Sequence, residues 1–269
     1  MVSIKRFWLL LFTAILTFCA NESTLAAASV NPLQARLEQF PDWKSPPILQ
    51  PAKGDLYYPD WMAGTWQVTS TLTDVAAPLA PAVAAPGFDA SRKMLQQPVR
   101  FSVRFGPDRS KVATLPVRSP FPVGAIAPEK SNIVADRVYN GMSLAEATLG
   151  KRVLRSIRVD PQSPNRQVAV FENGQSLTAE IGDRGVETPF DRAFASSELY
   201  LQTFRSASQI YFNRVENTIS YQLISVEPPH IEANQVTAIY LSPQDPDYFK
   251  AKDHPVALYR YRLEFDRPS

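Results

Sequence analysis

The chain has 269 residues and sets 28 Lys and Arg against 26 Asp and Glu, for a formal charge of +2. That balance argues against nucleic acid as the main partner. Cys19 is the only cysteine and His230 and His254 are the only histidines, which excludes a disulfide framework and histidine-rich metal sites.

The N-terminus reads as an export signal. Lys5 and Arg6 precede an apolar run from Phe7 to Cys19 of about 13 residues, which fits a signal core and falls short of a bilayer span. Ala26-Ala27-Ala28 supplies an Ala-x-Ala cleavage site, so residues 1–28 are expected to be removed and the mature chain to start near Ser29. The alternative is an uncleaved anchor. Phe18 is too large for a lipobox, so Cys19 is expected to leave with the signal. Cleavage removes two cations and one anion, taking the charge from +2 to +1. About 240 residues remain, enough for one large β domain. No later stretch is apolar and long enough to form a transmembrane helix.

Asn31-Pro32 reads as N-cap and first residue of a short helix carrying Leu33 and Leu37. Pro41 to Pro59 is rich in proline and aromatics and cannot be an interior strand. Residues 29–59 are thus expected to wrap the outside of a β domain spanning 60–269, with Trp43 and Trp61 as anchors. From Trp66 the chain alternates: Trp66, Val68, Ser70 and Leu72 on one face, Gln67, Thr69 and Thr71 on the other. Ala76 to Gly87 reads as an extended Ala/Pro loop. Val99, Phe101, Val103 and Phe105 mark the next strand, and a Pro-broken stretch follows from Leu115 to Pro128.

A short strand is expected over Ile133 to Val138, a turn at Asn140-Gly141, and a helix from the capping box at Ser143 to Gly150. Lys151 to Asp160 reads as a strand. Arg166 to Glu172 and Gln175 to Ile181 flank Asn173-Gly174, a strong hairpin signal. Further strands are expected over Glu198 to Ser206, Thr218 to Glu227, Gln235 to Leu241 and Val256 to Asp266. About nine or ten strands with one or two short helices predict a mainly β fold, an antiparallel β-barrel.

Catalytic constellations are sparse. There is no Gly-x-Gly-x-x-Gly, P-loop or Gly-x-Ser-x-Gly motif. Both histidines sit beside proline in expected loops. Asp245-Pro246-Asp247 lacks the glycine and distal glutamate of a calcium loop and reads as a turn. Glu180, Asp183, Glu187 and Asp191 read as a solvated face. No metal or cofactor site is expected, and the reading is non-enzymatic. Trp66, Phe101, Tyr221, Tyr240 and Tyr261 are candidate lining residues, because tyrosines inside a barrel suggest a cavity that is not wholly dry. Arg152, Arg158 and Arg166, with Trp43, form a candidate partner surface. Arg152 and Arg158 are expected to share a strand face, with Arg155 opposite.

Two resemblances follow from particular residues. Tyr58-Pro59-Asp60-Trp61-Met62-Ala63-Gly64-Thr65-Trp66, Val134-Ala135-Asp136-Arg137 and Ala238 to Tyr248 carry a resemblance to a family of exported proteins of cyanobacteria and plastids, built on a domain of unknown function. It implies the thylakoid lumen or the periplasm as the address. Gly64-Thr65-Trp66 also resembles the opening strand of lipocalins. That resemblance implies a late arginine, Arg260 or Arg262, packed across the Trp66 ring. Two functions stay open on this reading. One is binding of a small apolar or amphipathic ligand, pigment or lipid by analogy. The other is an interaction role as an assembly or stability factor for a photosynthetic membrane complex.

Overall fold

The structure, a computed structural model, describes residues 32–85, 87–108 and 132–268. The expected signal segment 1–28 and the Pro-broken stretch 115–128 lie outside the described residues.

Among the described residues eleven antiparallel strands make one sheet. They are β1 (Gln50–Pro51), β2 (Gly64–Ala76), β3 (Pro98–Pro107), β4 (Ile133–Ala135), β5 (Leu154–Asp160), β6 (Ser163–Phe171), β7 (Ser176–Phe190), β8 (Ala193–Arg205), β9 (Ile210–Val226), β10 (Pro229–Tyr240) and β11 (Ala257–Asp266). Their order is β4-β3-β2-β11-β10-β9-β8-β7-β6-β5, with β1 on the edge of β7. Among the described residues four short helices accompany them: α1 (Pro32–Glu38), α2 (Phe88–Arg92), α3 (Arg137–Leu149) and α4 (Tyr248–Ala251).

The sheet curls into a half-barrel. Tyr58, in the lead-in to β2, packs at 4.6 Å from Phe105 of β3 and 5.4 Å from Phe194 of β8, strands far apart in the sheet order. Only a strongly coiled sheet brings those two faces onto one ring. The expected closed barrel is corrected in one respect. No ladder joins β4 to β5 among the described residues, and α3, the segment between them, packs against β3 and β5 instead.

Helix α3 also corrects the expected turn at Asn140-Gly141. Asp136 caps the helix by accepting from Tyr139 N at 3.0 Å, so it starts six residues before Ser143. Asn140 and Ser143 then serve the exposed edge of β3. Arg104 N donates to Asn140 Oδ1 at 2.6 Å, Asn140 Nδ2 donates to Arg104 O at 3.2 Å, and Ser102 N donates to Ser143 Oγ at 2.9 Å. Side chains of a helix thus satisfy backbone groups that a further strand would otherwise pair. Gly141 is needed for the fit, since a Cβ there would stand 2.5 Å from Ile157 Cδ1 of β5.

Residues 32–49 run over the convex face before β1 joins the edge of β7. Leu37 and Trp43 pack with Val236, Ala238, Tyr240 and Leu258, one side of β10 and β11. Gly185 lets the segment come close, since a Cβ there would meet Leu49 at 2.9 Å. The Ala/Pro stretch after β2 is not simply extended. It turns back so that Val83 joins the core, and α2 follows it. Tyr248 of α4 packs on that core, as a plug would, while Phe249 points into solvent.

Candidate functional site

The concave face is stratified. One apolar cluster holds Leu72, Ile181, Tyr200, Val215, Ile239 and Tyr259 among others. A second holds Trp66, Val68, Phe194, Ile219, Tyr221, Ala233 and Phe265. Alternation along each strand places polar residues between them. On β8 the inward sequence runs Tyr200, Glu198, Ser196, Phe194; on β9 it runs Val215, Asn217, Ile219; on β10 it runs Ile239, Thr237, Gln235, Ala233. Register aligns these positions: Arg184 faces Glu198, Glu198 faces Asn217, and Asn217 faces Thr237. A polar belt therefore crosses an otherwise apolar interior.

Two buried ion pairs anchor the belt. Arg184 donates through Nε to Glu198 and through Nη2 to Asn165 Oδ1 at 2.8 Å. Arg137 of α3 donates to Asp55 Oδ1 at 2.6 Å and to the Pro164 carbonyl. Asn165 Nδ2 donates to the Ala52 carbonyl at 3.2 Å, which ties the belt to the lead-in. On the far side Gln235 Nε2 donates to Thr237 Oγ1, which donates to Asn217 Oδ1 at 3.1 Å. Burial pushes the Glu198 and Asp55 carboxyls up, against the pull of the neighbouring guanidinium groups, and pulls the Arg137 guanidinium down. The Tyr58, Tyr200 and Tyr221 hydroxyls are raised mainly by burial, so all three are neutral at physiological pH.

The candidates drawn from the sequence divide across this geometry. Trp66, Phe101 and Tyr221 sit in the second apolar cluster, and Tyr261 borders both clusters. Tyr240 is displaced from the interior: it lies on the convex face under the N-terminal segment, donating to Glu216 Oε2 at 2.7 Å. The cation over Trp66 is Arg267, 3.9 Å from the ring centroid, rather than Arg260 or Arg262. Arg260 lies over the Phe40 ring and donates to Asn234, and Arg262 is paired with Glu264. Arg267 follows β11, past the strand in which the lipocalin resemblance placed the cation.

Trp43 is 2 % exposed beneath the Arg36 guanidinium, so it faces the sheet rather than a partner. Arg152 sits in a turn with φ 69°, before β5 begins. An irregularity between Leu154 and Ser156 then leaves Arg155 and Arg158 both exposed, not on opposite faces. Arg166 is exposed and paired with Asp160. Glu187 is half-buried and accepts from Leu33 N, a role its solvated reading did not anticipate. Asp245 accepts from Ser242 N at 2.9 Å and from Tyr211 at 3.1 Å, so it closes a turn. Among the described residues no three His, Cys, Asp or Glu gather to hold a metal ion.

The belt itself was missed from sequence. Glu198 and Gln167 look like ordinary polar strand positions, Asn165 and Arg184 fall just outside the expected strands, and only β8, buried on both faces from Ala193 to Glu198, hints otherwise. Residues 50–269, the span that builds both clusters and the belt, match the family described as Domain of unknown function (DUF6816). The chain belongs to this family. No curated protein and no solved structure matches the chain. Both members of each belt ion pair fall inside the family's span, whereas Arg36 and Trp43 precede it. Among the described residues no helix is long and apolar enough to cross a membrane.

Proposed function

We propose that this is an exported, non-enzymatic binding protein that holds a small amphipathic molecule against the concave face of its curled sheet, in the thylakoid lumen or periplasm. The observation that carries the reading is the polar belt between two apolar clusters, in which buried polar atoms of Arg184 and Gln167 lack a hydrogen-bond partner. An interior built only for stability would favour apolar side chains at those positions. Native mass spectrometry of the mature protein purified from its own host is the test. A bound mass that organic extraction removes is expected; a bare polypeptide mass in every preparation overturns the reading.

A second reading is an assembly or stability factor for a photosynthetic membrane complex. Ile48 (99 % exposed) and Phe190 (70 % exposed) favour it, since large apolar side chains in water invite a partner. Recovery of photosystem subunits with the tagged mature protein, lost in Ile48→Ser/Phe190→Ser, is its expected signature. Equal recovery with the variant removes this reading.

A further inference from the structure

The unpartnered atoms of the belt have a definite chemistry. Arg184 Nη1 and Gln167 Nε2 and Oε1 are sealed from solvent without a hydrogen-bond partner in the protein. Their side chains belong to residues only 4 % and 3 % exposed. Leaving such atoms unmatched in a dry interior is unfavourable. Arg184 and Gln167 are neighbours through Asn165. Arg184 Nη2 bonds Asn165 Oδ1, and Gln167 follows two residues later on the same face of β6, ~7 Å along the strand. The Gln167 amide lies against Gly141 of α3, on the inner side of the seam, where a Cβ would come within 3.2 Å of Nε2.

Charge narrows the occupant. Arg184 pairs with Glu198 and Arg137 with Asp55, two cations against two anions. A net charge brought between them would be desolvated without a counter-charge of its own, which is strongly unfavourable in a buried setting. The occupant is therefore neutral. Two N–H groups, from Arg184 and Gln167, call for an acceptor oxygen, and Gln167 Oε1 beside them calls for a donor. The apolar clusters on either side suit hydrocarbon.

We infer that Arg184 and Gln167 form the polar end of an interior site for a neutral amphipathic molecule bearing a carbonyl group, of the fatty amide or ester class rather than a free fatty acid. This rests on the ligand-binding reading above.

The test uses four probes of one chain length: dodecanamide, methyl dodecanoate, dodecanoate and dodecane. Each is titrated against the tryptophan fluorescence of the purified mature protein at neutral pH. The amide, which supplies both acceptor and donor, is expected to bind at least ~10-fold tighter than dodecanoate or dodecane, with the ester, which supplies only the acceptor, between them. Gln167→Met, close in volume, should weaken the amide ~10-fold and leave dodecane unchanged. If dodecanoate binds tightest, the charge argument is wrong and the class falls. If all four bind alike, or Gln167→Met weakens dodecane as much as the amide, the head-group assignment falls while the binding function stands. If none binds, both fall. Should Gln167→Met fail to fold, the wild-type series decides alone.

Discussion

The guanidinium of Arg267, just past the last strand, lies 3.9 Å from the centre of the Trp66 ring at the start of the first long one. Its two terminal nitrogens donate to the carbonyls of Thr65 and Ala63, at 3.1 and 2.8 Å. Trp66 Nε1 in turn donates to the Met62 carbonyl at 2.7 Å. The two ends of the family's domain are thus locked over one indole.

Gly64 makes that lock fit. Its φ is +109°, and a Cβ would collide with Arg267 Nη1. Gly64→Ala is expected to cost about 1–3 kcal/mol, and Arg267→Ala about 1–2 kcal/mol through the lost cation–π and hydrogen bonds. The two should be less than additive, because Arg267→Ala removes the obstacle and leaves only backbone strain. A double-mutant cycle in urea measures this; strict additivity would refute the clash.

The seam helix gives a sign reversal. Alanine is better than glycine inside a helix by ~1 kcal/mol, yet Cβ at position 141 meets Ile157 Cδ1. Gly141→Ala is therefore expected to destabilise the wild type and to stabilise Ile157→Val, which lacks that methyl group. Asn140→Ala should cost about 1–3 kcal/mol and speed amide exchange at Arg104, whose N–H it leaves bare. Unchanged exchange at Arg104 would mean that water replaces the amide without loss.

On the convex face Arg36 forms an ion pair with Glu216. Its Nε and Nη2 reach Glu216 at 2.5 and 2.7 Å, and Glu216 also accepts from Tyr240 and Thr218. The Glu216 side chain is fully buried. Arg36→Ala should cost about 3–5 kcal/mol by stranding that charge, and Arg36→Ala/Glu216→Gln should recover much of it. Thermal melts of the three proteins decide; no recovery would mean that packing of the Arg36 stem over Trp43 matters more than charge.

Glu198 predicts a pH dependence. Burial raises its folded-state pKa despite Arg184 and Arg137. A raised value makes the fold bind the proton more tightly than the unfolded chain does. Its contribution is full below the unfolded carboxylate range, ~4.3, and is lost as pH rises through the folded value. Glu198→Gln does not titrate at this position. The urea midpoint of the wild type should therefore fall relative to that variant as pH rises from about 4 to 8. The opposite drift would show that attraction from Arg184 outweighs desolvation.

The chain's own pattern determined most of the strands, although the second half of β7 and the first halves of β8 and β9 were not read as strand. Alternation in Val99 to Phe105 and Tyr259 to Phe265, and the Asn173-Gly174 turn, specify hairpins locally, since side-chain period and turn chemistry need only neighbours in sequence. Trp66 was legible as core for the same reason. The start of α3 was not, because Asn140-Gly141 carries a turn signal that the Asp136 cap and the waiting edge of β3 override. Nor was the belt. Whether Arg184 or Glu198 meets water depends on how far the sheet curls and on what covers its open seam, both of which are settled by contacts between strands distant in the chain. The same holds for Tyr240, read as an interior lining residue, and for Trp43, read as part of a partner surface: both are buried where the N-terminal segment covers the convex face.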